Sequence, residues 1–136
     1  MTALNDTRAG TADSMDITGS GQARSLAKPR TPGRIRLRVR ASEVDPYNIA
    51  HHSNYSVWAE LALQEYLRSV TGDTLPSYRI LRCQCKYMLS ARYDDLVEAA
   101  VFPAGRSSAG EAFRFQITDC VRHQTFAAGR IETAFP

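Results

Sequence analysis

Apolar and polar positions follow three different rhythms along the chain. From Met1 to Arg30, apolar residues are scattered among Thr, Gly, Ser, Ala and Asp without any period. Such a stretch cannot bury enough surface to offset its ordering entropy. A disordered leader is expected over residues 1–32, closed by the turn chemistry of Thr31-Pro32-Gly33. A tail that binds a partner is the competing reading. From Arg34 to Arg40 the alternation is strict: Ile35, Leu37 and Val39 fall on one face and four arginines on the other. That pattern predicts a half-buried strand. The arginine face suits either phosphate binding or a solvated surface paired with acids on a neighbouring strand; the second is expected.

The rhythm then changes to three and four. Tyr55, Trp58, Leu61, Ala62, Tyr66, Leu67 and Val70 share one face, widened by Val57, Ala59 and Leu63. A helix from about Asn54 to Val70 is predicted, apolar over most of its circumference and so buried on several sides. It would span roughly 25 Å. Ser53 is the expected N-cap, with Asn54 next, and Gly72 is placed to end the helix ahead of Pro76.

Strand rhythm resumes at Ser77–Leu89, with Cys83, Cys85 and Tyr87 expected on one inward face. Asp94-Asp95 marks a turn, Leu96–Phe102 a strand, and Pro103–Gly110 a loop. Glu111–Val121 and Gln124–Phe135 complete the set. One strand, one long buried helix and four consecutive antiparallel strands make an α+β domain over residues 33–136. A five-stranded sheet covering a single helix must curl around it. It leaves an edge strand and an open helix end, which a homodimer or homotetramer would cover.

Composition narrows the partners. The chain of 136 residues is one domain's worth, with 43% hydrophobic residues, a net charge of +3 and a pI near 8.9. That mild basicity suits a phosphate-bearing or acidic partner and is too weak to argue for nucleic acid. Three cysteines make an odd set without framework spacing, expected as reduced thiols in the cytoplasm. The N-terminus has no apolar signal core, and no apolar run approaches the length of a membrane span. No membrane partner is expected. The C-x-C of Cys83 and Cys85 does not match structural zinc spacing, so neither metal nor cofactor is expected.

Candidate chemistry gathers where the bend Ala41–His52 enters the helix. Asp45 before Pro46 is extended and turn-forming; Asn48 is suited to positive φ. Helix N-termini present unpaired N–H groups and about half a positive charge, which suits a developing oxyanion. A carboxylate beside such an end stays ionised and can attack or activate water. His51 and His52 are either acid–base groups or residues that serve through their amides, the amide role being favoured for His52. Glu60, in an apolar stretch of the helix, is either a second acid–base group or a side chain paired with a polar neighbour.

At Asp45-Pro46-Tyr47-Asn48-Ile49, followed by Asn54-Tyr55 and Trp58, the chain resembles the 4-hydroxybenzoyl-CoA thioesterase family of hotdog folds. That family's signature is an Asp-Pro-x-Gly-Ile turn, then Asn-Tyr and an aromatic in the helix. Ser90–Leu96 resembles the family's bend between the second and third strands. The resemblance runs from about Ile35 to Phe135. It implies a hotdog fold and a hydrolase of thioesters carried by coenzyme A or an acyl carrier protein. Asp45 then becomes the nucleophile or general base, and the amide near His52 the oxyanion donor. Tyr47, Asn48, Ile49, His51, Asn54, Tyr55, Trp58, Arg92 and Arg106 are the candidate substrate contacts; Tyr47 and Trp58 either line the acyl pocket or belong to the core, and the two arginines either meet phosphate or are solvated charges. Asn48 stands where the family has glycine, and the Pro103–Gly110 loop reads longer than the family's hairpin. Competing functions are a non-hydrolytic hotdog protein, such as an acyl dehydratase using His51 or His52 with Glu60, and an interaction module built on the arginine strand.

Overall fold

The computed structural model describes residues Gly33–Pro136 apart from Ser107 and Ala109. The expected leader lies outside the described residues. In chain order the elements are β1 (Gly33–Arg38), a 3₁₀ turn (Ala41–Glu43), α1 (Ser53–Thr71), β2 (Arg79–Tyr87), β3 (Leu96–Arg106), β4 (Glu111–Asp119) and β5 (Thr125–Ala134). The strands form one antiparallel sheet in the order β1-β3-β4-β5-β2. The chain thus leaves one sheet edge after β1, lays α1 across the inner face, and returns at the opposite edge as β2. The hotdog arrangement of one helix and five strands is the one expected.

Trp58, Ala59, Ala62 and Leu63 of α1 are fully buried against Val97, Ala99 and Val101 of β3 and Phe113, Phe115 and Ile117 of β4. Alanines at 59 and 62 let the helix axis approach the sheet, while Trp58 fills the space they leave. The burial is narrower than the apolar pattern suggested: Val57 and Leu61 are exposed. Gly72 ends the helix in the left-handed conformation at φ 78, its N–H returning to the Arg68 carbonyl. On β1, Arg34 and Arg36 both reach Glu98 of β3. The arginine face is therefore paired with an acid across the ladder.

Three expectations need correction. The first half of the Pro103–Gly110 loop is strand: β3 runs on to Arg106 through an irregularity between Pro103 and Arg106, with Gly105 at φ 91. Among the described residues, β1 pairs with β3 as far as Val101, and beyond it Pro103 and Arg106 are carried by their pairing with Phe113 and Glu111 of β4. Nor do Cys83, Cys85 and Tyr87 form a covered inward face, for Cys83 and Tyr87 are exposed and Cys85 half-buried. The helix lies against β1 and β3 and scarcely reaches β2. Finally, Ser53 is the first helical residue rather than the cap. His52 occupies the cap in helical conformation, and no side chain caps the end.

Candidate active site

Asp45 opens a tight loop. Its N–H donates to the Ile49 carbonyl and its own carbonyl accepts from Asn48, both at 2.9 Å. One carboxylate oxygen, Oδ1, accepts from the N–H groups of Tyr47 and Ile49 at 2.8 and 3.1 Å. An aspartate at the start of a turn locks it in this way. Asn48 sits at φ 63, the left-handed conformation the family serves with glycine.

The start of α1 is held by Glu43. Its backbone carbonyl accepts from His51 N–H at 2.9 Å and from Asn54 Nδ2 at 3.0 Å. Its buried carboxylate accepts from Trp58 Nε1 at 3.1 Å, from Arg40 N–H at 2.8 Å and from the Arg40 guanidinium at 2.6 Å. Burial alone would raise this carboxyl, but the Arg40 and Trp58 donors outweigh it and hold Glu43 below the usual glutamate range. Among the described residues, the amides of His52 and Ser53 meet no hydrogen-bond acceptor, because the helix starts without a capping side chain.

These pieces border one cleft of about 860 Å³. Asp45, Ile49, His51, His52, Tyr55 and Arg92 line it, joined by Tyr87, Met88 and Leu89 from the end of β2 and by Asp119, Arg122, Gln124 and Phe126 from the β4–β5 turn. Tyr87 packs edge-on against both His52 and Tyr55, ring centres 5.7 and 5.5 Å apart. Tyr55 hydroxyl accepts from Ala91 N–H at 2.9 Å, and burial pushes its phenol up, so it stays neutral. Arg122 is tethered to Asp119 at 2.8 Å and stands 3.7 Å from Asp95.

Of the residues singled out in the sequence, the cleft therefore gathers Asp45, Ile49, His51, His52, Tyr55 and Arg92. The others lie elsewhere. Trp58 is fully buried in the core, and Tyr47 is 81% exposed outside the cleft. Asn54 is engaged with the Glu43 and His51 carbonyls. Arg106 faces Glu111 at the β3–β4 hairpin, 3.8 Å away. Glu60 accepts from the Tyr78 hydroxyl, which in turn accepts from Gln64 Nε2 at 3.0 Å. Asn48 turns its side chain from the cleft toward Tyr93.

Sequence reasoning missed Glu43, the Asp119–Arg122 pair and the cleft wall of Tyr87, Met88 and Leu89. Only Asp119 carried a signal, as an acid opening a turn before Arg122. The thiols of Cys83 and Cys85 are raised, chiefly by partial desolvation, which favours their protonated form. Among the described residues, no group of three or more His, Cys, Asp or Glu is placed to hold a metal ion, and no helix is long and apolar enough to cross a membrane.

Residues 47–110 match the family model described as the thioesterase superfamily. No curated protein matches the sequence. Among solved structures, a hypothetical protein from Aquifex aeolicus is 27% identical over 77% of this chain and 98% of its own, with a TM-score of 0.61. A thioesterase from Thermus thermophilus, solved with coenzyme A and zinc, is 20% identical over 78% and 85%, with a TM-score of 0.70. A probable thioesterase from Bartonella henselae is 15% identical over 78% and 90%, with a TM-score of 0.68. The chain has the hotdog fold, and its residues 47–110 are similar to the thioesterase superfamily.

Proposed function

We propose that this hotdog-fold chain, matched through its helix to the thioesterase superfamily, hydrolyses acyl thioesters at the cleft beside the start of α1. The observation that carries the reading is the shared cleft of Asp45 and His52. A half-buried carboxylate, with one oxygen held by backbone N–H groups, stands at a helix end that has two unengaged amides. The acyl carbonyl lies toward the His52 and Ser53 amides, which stabilise the oxygen as it gains charge. Asp45 Oδ2 either attacks the carbonyl carbon, expelling the thiolate and leaving an anhydride that water opens, or takes a proton from the water that attacks.

Coenzyme A is the favoured carrier, since the Thermus neighbour was solved with it, and an acyl carrier protein is the second. Arg92 and Arg122 on the cleft wall give an anionic carrier its counter-charge. The dehydratase alternative needs a histidine paired with Glu60. Glu60 is engaged by Tyr78 outside the cleft, which favours hydrolysis.

The active assembly is a homodimer formed through β2. That strand is a free sheet edge carrying exposed Ile80 and Leu81, and the exposed Tyr87, Met88 and Leu89 at its end belong to the cleft as well.

Thiol release from a panel of acyl-CoAs, and from the same acyl groups on a carrier protein, tests the reading. Asp45→Asn should keep the fold by circular dichroism and lose about 10²- to 10⁴-fold in kcat/KM. An Asp45→Ala enzyme with kcat/KM intact would overturn the role given to this carboxylate.

A further inference from the structure

The Asp45 loop is stitched to the bend between β2 and β3 at three points. Ala50 N–H donates to the Ala91 carbonyl at 2.9 Å. The Arg92 guanidinium reaches the Asn48 carbonyl at 3.5 Å. Asn48 Oδ1 accepts from the Tyr93 N–H at 2.9 Å, and this is the one stitch made by a side chain of the loop itself. Asn48 also lies within the loop that Asp45 closes, its N–H on the Asp45 carbonyl, and it is followed by Ile49, whose N–H holds the carboxylate. A shift at Asn48 is therefore passed directly to the groups that aim Asp45.

We propose that Asn48 is a positioning residue: its side-chain carbonyl clasps the Asp45 loop to the β2–β3 bend and so fixes where the carboxylate stands in the cleft. The proposal rests on the hydrolase reading for its catalytic consequence. It assigns Asn48 a role different from the substrate contact expected from the sequence. The backbone alone does not explain this residue, because glycine meets a φ of 63 with less strain. What asparagine adds over glycine is an acceptor that reaches Tyr93.

Asn48→Gly is therefore the informative variant, since it preserves the turn and removes only the clasp. With the acyl-CoA that wild type turns over best, kcat should fall about tenfold or more while KM stays within about twofold, as a mis-aimed catalytic group demands. Asn48→Asp keeps an acceptor oxygen and tolerance of the left-handed region, and should restore most of kcat. Amide hydrogen exchange supplies a readout free of activity. Protection at both Tyr93 and Ile49 should drop in Asn48→Gly while the α1 core amides stay as in wild type. A kcat within twofold of wild type, or Tyr93 and Ile49 amides as protected as before, overturns the clasp. Absence of turnover by wild type on every acyl thioester would instead sink the hydrolase reading. Exchange at Ile49, which donates to Asp45, would then decide alone whether Asn48 holds that carboxylate's loop.

Discussion

Glu43 and Asp45 stand two positions apart and serve opposite ends. Asp45 keeps one oxygen on its own turn and offers the other to the cleft; Glu43 is buried and binds the indole and the arginine that anchor the helix start. Glu43→Gln leaves part of this donor set unanswered and should cost about 1–3 kcal/mol, read from the urea midpoint at neutral pH. Because the folded Glu43 carboxyl lies below its unfolded value, its contribution is complete above the ordinary glutamate range. It is lost as pH falls through the lower, folded value. Asp119, held down against its own burial by the Val121 and Arg122 donors, acts in the same direction. Wild type should therefore lose stability on acidification below the usual carboxylate range, and Glu43→Gln should show a shallower decline over that window. Asp45 and His52 were legible because order along the chain, an acid in a bend before a helix, implies proximity. Trp58 was not, since the same spacing suits an aromatic lining a site and one filling the core. Glu43 gave no sign at all: its partners come from the residue three before it and the residue fifteen after.

At the level of elements, periodicity located the helix to within a residue at each end, because burial and the left-handed Gly72 agree on where it stops. Strand ends were less legible. Pro103 and Gly105 carry the composition of a loop, yet β3 continues past them, paired with β4 as far as Arg106. The helix hardly supports β2, so this strand relies on its ladder with β5. It depends on a close approach at Gly129, where an added Cβ would come within 1.9 Å of the Gln84 carbonyl oxygen and 2.6 Å of the Phe115 ring. Gly129→Ala should destabilise by about 1–3 kcal/mol or more. Its amide-exchange protection should fail first along β2 and β5 and persist in β3 and β4. Uniform loss across the sheet would show instead that β2 is bound into the core.

At the scale of the described domain, basic residues gather on the outer sheet face. On the outer sheet face the registers bring Arg34, Arg36, Lys86, Arg114 and Arg130 together with Glu98 as one of the few acids, and Arg114 lies directly opposite Arg130. Two copies meeting across that face would set like charges against each other. The β2 edge has Arg79, Arg82 and Lys86 of its own, but it also exposes Ile80 and Leu81, and the proposed dimer is placed on those apolar side chains. Leu81→Asp should move the sedimentation mass from dimer to monomer and abolish thiol release together. A monomeric, fully active Leu81→Asp protein would remove the dimer from the mechanism. That the sheet would have edge strands was legible from strand count alone. Which strands they are was not, because strand order follows from crossover geometry rather than from composition. The residues shared by the β2 end and the cleft carry one more consequence. If a second copy completes the wall at Tyr87, Met88 and Leu89, the proposed turnover per mole of chain is not a constant. It should fall on dilution below the self-association constant and recover on concentration, so a rate measured on nanomolar protein would report equilibrium between copies as much as bond cleavage.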